Sequence, residues 1–320
     1  MSSPPVFSLI GKETDDGWKV IEPVGWKLDT TGKPVAAGAP GSGGNFSAGY
    51  RVQKDGRKAF LKAIDLSRAM LAKDVIAALK VIVDTASFEK SLCAMCGEKR
   101  MDRVVLALSS GDFITGVNLQ DRVPYIIFEL ADGDVRRRVR LVDSKLRLQW
   151  VFRAIQNSAV GLRQLHKANV AHQDFKPSNV LQFEAQKAFK VGDVGRAVLE
   201  GVAVAHDSLR IAGDPAYAPP ELLYGHLDPD WRTRRYGCDL FMFGSLIVFF
   251  FMGQGLTPLL IRKIEAAYLP RARGGTWAGT YMEVLPIVRR AFADVLEELA
   301  ALVPNDRAIG RLRSMQLGNG

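Results

Sequence analysis

One octapeptide, His172-Gln-Asp-Phe-Lys-Pro-Ser-Asn179, constrains this chain more than any other stretch. It sets a carboxylate (Asp174), an ammonium (Lys176) and an amide oxygen (Asn179) within one turn-rich loop. The loop follows the short apolar step Val170-Ala171 and, before that, an amphipathic helix. That helix is read from Leu148, Val151, Phe152, Ile155, Ala159, Leu162 and Leu165, which recur at three- and four-residue spacing and stop at Asn169. The three functional groups suit phosphoryl transfer. A carboxylate can orient a hydroxyl and accept its proton, a lysine can hold the moving phosphoryl group, and an amide oxygen can ligate Mg²⁺. Downstream, Lys190-Val-Gly-Asp193-Val-Gly195 reads as a strand ending in a second hard oxygen ligand on a mobile turn.

The earlier part of the chain alternates rather than spirals. Glycines crowd the stretch from Gly32 to Gly49, but Tyr50-Arg-Val runs into Lys54-Asp-Gly, a hairpin turn signal, and then into Arg57-Lys-Ala-Phe-Leu-Lys62-Ala-Ile. The glycines therefore belong to the entry of a β-hairpin. Both faces of the second strand are apolar apart from Lys62, and an amine in such a place needs an anion to meet it. Residues 85–97 predict a short helix with Phe88, Leu92, Met95 and Cys96 on one stripe, Glu89 bordering it and Gly97 as the stop. Val123 to Leu130 reads as a buried strand. The chain is strand-rich before about residue 130 and helical after about residue 145, which predicts an α+β fold of two unequal lobes.

Composition limits the alternatives. With 48% hydrophobic and 24% charged residues over 320 positions, the chain is not intrinsically disordered. Three cysteines are too few for a disulfide scaffold and favour a reducing, cytoplasmic setting. The first 15 residues are polar and expected to be loose, with no secretory signal in them. The net charge of +9 is scattered, with small clusters at Arg136 to Arg140 and at Arg232 to Arg235. Few aromatics accompany them, so a solvated basic face or an acidic-partner site is favoured over a nucleic-acid module. Leu240 to Ile261 is apolar over a membrane-spanning length, yet Gly253, Gly255 and Pro258 break it, so it is read as a buried core helix. Cys93-Ala-Met-Cys96 has no second pair to complete a metal site and is read as two small buried thiols.

These residues, taken in order, resemble the eukaryotic-like protein kinase superfamily from about Gly41 to Arg307. His172 to Asn179 is similar to the H-R-D-L-K-x-x-N catalytic loop, Asp193-Val-Gly195 to D-F-G, and Phe60-Leu-Lys62-Ala to V-A-I-K. Gly41-Ser-Gly43-Gly44-Asn-Phe46 stands where the glycine-rich loop belongs, and Gly213 to Glu221 resembles the A-P-E end of the activation segment. Asp239 is similar to the aspartate that opens the central helix of the second lobe, and Arg307 to the arginine that pairs with the A-P-E glutamate. The resemblance implies a bilobal protein-kinase-like fold: a loose stretch 1–15, a β-rich N-lobe over 16–130 and a mainly α-helical C-lobe over 131–320.

It also implies roles. Asp174 and Lys176 are the catalytic pair. Gly41, Gly43, Gly44 and Lys62 hold ATP phosphates, with Glu89 as partner of Lys62; Glu98 is the weaker choice. Glu129 and Ala131 lend backbone groups to the adenine, and Asn179 and Asp193 bind Mg²⁺. The cofactors are ATP and Mg²⁺ and the partners are protein substrates. Lys176 and the Pro-Glu ending resemble the serine/threonine branch. Two positions depart from the pattern. Gln173 replaces the arginine that senses activation-loop phosphate, and Asp214 replaces the threonine that helps fix the catalytic aspartate. The rivals are a small-molecule kinase of the aminoglycoside-phosphotransferase type and a pseudokinase acting as a binding module. The first lacks the A-P-E segment and its arginine; the second is opposed by a full set of charged catalytic positions.

Overall fold

Alternating side chains in the first part of the chain build an antiparallel sheet. The computed structural model describes residues 4–29, 34–36 and 47–303. Gly41, Gly43, Gly44 and Phe46 of the expected glycine-rich loop, and Arg307, lie outside the described residues. The first elements are β1 (Lys19–Val24), β2 (Trp26–Leu28), β3 (Pro34–Ala36), β4 (Ser47–Lys54), β5 (Arg57–Ile64), α1 (Val75–Glu98), β6 (Ala107–Ile114) and β7 (Arg122–Glu129). Five of the strands form one sheet in the order β1-β4-β5-β7-β6. The predicted hairpin is present: Lys54 faces Arg57 across a turn whose residues Asp55 and Gly56 both have positive φ, 46° and 77°. Val20, Tyr50, Val52, Ala59, Leu61, Ala63, Tyr125 and Ile127 fill one face of the sheet. Lys62 lies on the other, opposite Ile126 in register.

Two expectations for this region are corrected. Residues 4–15 are not loose, because a short Pro5–Phe7 helical turn places Val6 and Leu9 in the sheet's core. Tyr50 Oη donates to the Val6 carbonyl at 2.6 Å, so the polar look of the segment hides two anchoring residues. The helix expected at 85–97 starts at Val75, where the Asp74 carboxylate caps it by accepting from Ala77 N at 2.9 Å. Its first turns carry exposed Ile76, Val81 and Val83, so the apolar periodicity becomes legible only from Ala86 onward. Glu89 does not border the buried stripe but sits in its middle, between Ala86 and Leu92.

Then follow β8 (Gly133–Asp134), α2 (Val135–Arg138), α3 (Arg147–Lys167), β9 (Val170–Ala171), β10 (Val180–Phe183), β11 (Ala188–Val191), β12 (Val198–Leu199), α4 (Pro220–Leu223), α5 (Trp231–Met252), α6 (Leu256–Lys263) and α7 (Tyr281–Leu302). The chain divides into two compact units: residues 1–132 with 181–195 and 203–205, and residues 133–180 with 196–202 and 206–320.

In the second unit α3 ends as its sequence predicts, with Asn169 just beyond it in the left-handed region at φ 59°. The apolar stretch read as one buried segment, Leu240 to Ile261, is two helices. Gly253, at φ 73°, ends α5, and the Leu256 N–H that opens α6 donates to Ser245 Oγ at 2.8 Å. Val248, Leu256, Leu259, Leu260, Val284, Val288 and Val295 close the core with α7. By length and composition α5 could cross a membrane. It also carries buried Arg235 and Asp239 together with exposed Leu240, and gives no clear membrane span.

Candidate active site

In the second unit the catalytic-loop residues hang from α5. Asp239 is fully buried. Its Oδ2 accepts the backbone N–H of His172 at 2.7 Å and His166 Nε2 at 2.8 Å; its Oδ1 accepts the backbone N–H of Gln173 at 2.8 Å and Gln173 Nε2 at 3.2 Å. Sequence reasoning put Asp239 ahead of the apolar helix. The structure puts it in the third turn, because Asp230 caps α5 nine residues earlier. A buried carboxylate is costly unless donors surround it, and here four do. The loop bends to reach them, with Gln173 in the left-handed region at φ 61°. Phe175, standing where the family pattern has leucine, is fully buried and meets Phe243 of α5 with ring centroids 6.3 Å apart.

Three predicted residues come together there. Lys176 Nζ lies 3.0 Å from Asp174 Oδ2, and Asn179 Nδ2 donates to the Asp174 carbonyl at 2.8 Å. The Asn179 amide nitrogen is thus committed to the loop, which leaves its oxygen as the group to offer a cation. Asp214, the departure at the threonine position, takes part in the same cluster. Its backbone N–H donates to Asp174 Oδ1 at 2.8 Å, and its Oδ2 lies 3.5 Å from Lys176 Nζ. Its Oδ1 meanwhile accepts from Ala216 N at 2.9 Å. The approach depends on Gly213, where a Cβ would come within 2.8 Å of Asp174 Oδ1 and collide with the Gln173 carbonyl. At this departure from the family pattern the backbone of residue 214 fixes Asp174, and its carboxylate braces Lys176.

The first unit holds the other predicted set. Lys62 Nζ meets Glu89 Oε1 at 2.8 Å and Oε2 at 3.1 Å, and Asp193 Oδ1 at 3.0 Å. Glu98, the weaker choice for partner, is exposed at the end of α1. Burial acts to lower the Lys62 pKa, but the Asp193 and Glu89 carboxylates outweigh it and hold the amine well above its ordinary value. Asp193 sits just past β11 in the left-handed region at φ 55°, with its side chain about half exposed. A Cβ on Gly195 would stand 3.0 Å from Glu89 Oε2 and 3.2 Å from Lys62 Nζ, so glycine allows the turn to pass this pair.

Glu129, expected to act through its backbone, has its N–H bonded to the Leu106 carbonyl at 3.0 Å. Its buried carboxylate accepts from Lys190 Nζ at 2.7 and 2.8 Å and from Leu106 N at 2.8 Å. Ala131 follows, partly exposed, two residues beyond the end of β7. The Lys190–Glu129 pair was missed in the sequence, although its signal matches that of Lys62: one lysine in an otherwise apolar strand. Arg235 was missed too. The sequence groups it with Arg232 and Arg234 as a solvated basic face or an acidic-partner site, but it is 4% exposed, while Arg232 pairs with Glu200 at 3.0 Å. Cys93 and Cys96 are buried free thiols as expected, and burial pushes Cys96 up to about 11.

Replacing Glu89 with alanine leaves Lys62 with Asp193 alone. Breaking a charged hydrogen-bonded pair of this burial is expected to lower unfolding free energy by about 1–3 kcal/mol. Urea unfolding measures it, and a loss under about 0.5 kcal/mol would show that the pair contributes little to the fold.

The family model described as protein kinase domain matches residues 50–308. Among curated proteins, CBL-interacting serine/threonine-protein kinase 7 of Arabidopsis thaliana is 33% identical over 129 residues, 38% of this chain and 28% of its own length. Serine/threonine-protein kinase PknB of Mycobacterium leprae is 29% identical over 123 residues, 37% of this chain and 19% of its own. Aurora/IPL1-related protein kinase 2 of Caenorhabditis briggsae is 28% identical over 183 residues, 57% of this chain and 55% of its own. The chain spans less than two thirds of each of these relatives. With the family model covering most of its length and the loop around Asp174 built as that family's motif requires, this chain belongs to the protein kinase domain family.

Proposed function

We propose that the chain is an ATP-dependent serine/threonine protein kinase. The observation that carries this reading is the Asp174 cluster: a carboxylate fixed by the Asp214 N–H, with Lys176 beside it and Asn179 tied to the same loop. The names of the relatives support the serine/threonine class. On this reading the Asp174 carboxylate orients a protein hydroxyl and accepts its proton as the hydroxyl oxygen bonds to the γ-phosphorus. The bond from that phosphorus to the β-phosphate oxygen breaks, and ADP leaves. Lys176 is placed to balance the charge that gathers on the transferring group.

Lys62 is assigned to the α/β-phosphates, with Glu89 orienting it. Gly41, Gly43 and Gly44 are assigned to the phosphates as well. The Glu129 carbonyl and the Ala131 N–H are assigned to adenine; the Lys190 pair keeps the Glu129 side chain out of that role. The oxygen donors of Asn179 and Asp193 suit Mg²⁺, a hard cation that retains waters and phosphate oxygens. When bound, Mg²⁺ neutralises phosphate charge. A cytoplasmic setting and protein substrates belong to the same proposal, the first supported by three free cysteines.

Asp174→Asn is expected to lower transfer from labelled ATP to a protein acceptor by about 10²–10⁴-fold while leaving Mg·ATP binding intact. Undiminished turnover would contradict the assignment of the base. Asp193→Ala is expected to remove the Mg²⁺-dependent tightening of ATP, read by nucleotide titration with and without the metal. Equal Mg²⁺ sensitivity in that variant would contradict its role as a ligand.

A further inference from the structure

The segment between Asp193 and Glu221 carries a fixed negative charge on a buried guanidinium. Asp207 lies on the short helical turn Ala205–Ser208. Its carboxylate pairs with Arg235 Nη2, which also donates to the Asp207 carbonyl at 3.3 Å. Arg235 Nη1 donates to Gln173 Oε1 at 3.1 Å, and Gln173 Nε2 donates to the Arg235 carbonyl at 2.8 Å and to Asp239 Oδ1 at 3.2 Å. Gln173 immediately precedes Asp174. An unbroken chain of polar contacts thus runs from the activation segment, through the second turn of α5, to the residue beside the catalytic carboxylate.

The amide at position 173 fits this place for a reason. It must accept from a guanidinium on one side and donate to a carboxylate on the other. An arginine would meet Arg235 with like charge, and a glutamate would meet Asp239 the same way; a neutral amide does both jobs. Burial pushes the Arg235 pKa down, and Asp207 opposes that shift. Next to Asp207, His206 is buried with Nε2 2.9 Å from the Ala197 carbonyl, so the turn is also pinned at the residue before the acid.

We propose, resting on the kinase reading, that Asp207 is a positioning residue. Through Arg235 and Gln173 it holds the activation segment against the catalytic loop, as a built-in carboxylate in the role that an added phosphate fills where an arginine precedes the catalytic aspartate. The unphosphorylated chain is therefore competent. The segment offers two hydroxyl side chains, Ser208 and Tyr217, as sites for an added phosphate.

The test measures first-turnover transfer of the γ-phosphoryl group from labelled ATP to myelin basic protein. It compares untreated wild type, phosphatase-treated wild type, Ser208→Ala, Asp207→Asn and Asp207→Glu, with Mg·ATP affinity and thermal melting recorded for each. Phosphatase treatment and Ser208→Ala are expected to leave the rate within about twofold, while Asp207→Asn lowers it about tenfold or more with Mg·ATP affinity unchanged. Asp207→Glu, which keeps the charge, is expected to recover most of that loss. A rate in folded Asp207→Asn equal to wild type would overturn the proposal. So would a tenfold loss after phosphatase treatment, a result that needs no variant to fold. An inactive untreated wild type would count against the kinase reading itself, whereas an active wild type with an indifferent Asp207→Asn counts against this proposal alone.

Discussion

A single buried carboxylate, that of Asp239, organises the second unit. Four donors converge on it, two of them backbone N–H groups of the catalytic loop. A carboxylate with no exposed surface is tolerable only because those donors surround it, so loop and helix are tied in both directions. If the loop moves away, the carboxylate loses its backbone donors. If the helix shifts, the left-handed turn at Gln173 loses the contacts that offset its strain. The positions of Asp174, Lys176 and Asn179 follow from this attachment. So does the reach of the activation segment, since Asp214 and Gly213 meet the loop where Asp239 has placed it.

The first unit solves a related problem by opposite charges. Lys62 stands on a strand whose neighbours are apolar, and its amine is satisfied by Glu89 from the middle of the buried stripe of α1 and by Asp193 at the turn after β11. The same device appears again at Lys190 and Glu129, two strand residues that anchor each other, with Lys190 Nζ 4.8 Å from the centre of the Phe183 ring. In both pairs the lysine charge sets the position of an acid, and the acid sets the position of a backbone or helix. Burial makes these pairs demanding of geometry: removing one partner leaves a charge with little water to receive it.

Much of this was legible in the sequence because functional groups in a catalytic loop must sit at fixed offsets. The spacing Asp174, Lys176, Asn179 and the strand-ending Asp193 could be read without any fold, and Lys62 betrayed itself as a charge in an apolar strand. The helix around Glu89 was only half legible, since its exposed first turns carry no stripe. The relay through Arg235 was invisible for a different reason. Three arginines in four residues look alike along the chain, and only helical geometry separates the buried one, a turn before Asp239, from its more exposed neighbours. Nothing in the sequence connects Asp207 to it. The anchoring of Val6 and Leu9 was hidden in the same way, by contacts with Tyr50 and the sheet far along the chain.

The role given to Asp239 is tested most directly by amide hydrogen exchange at His172 and Gln173, the two backbone donors it holds. Loop amides ordinarily exchange through local opening, whereas amides locked to a buried acceptor exchange only when the unit unfolds. The expected result is that both exchange as slowly as the buried central turns of α5. Exchange of either at the rate of the exposed residues Leu227 and Val117 would contradict the holding of the catalytic loop by Asp239.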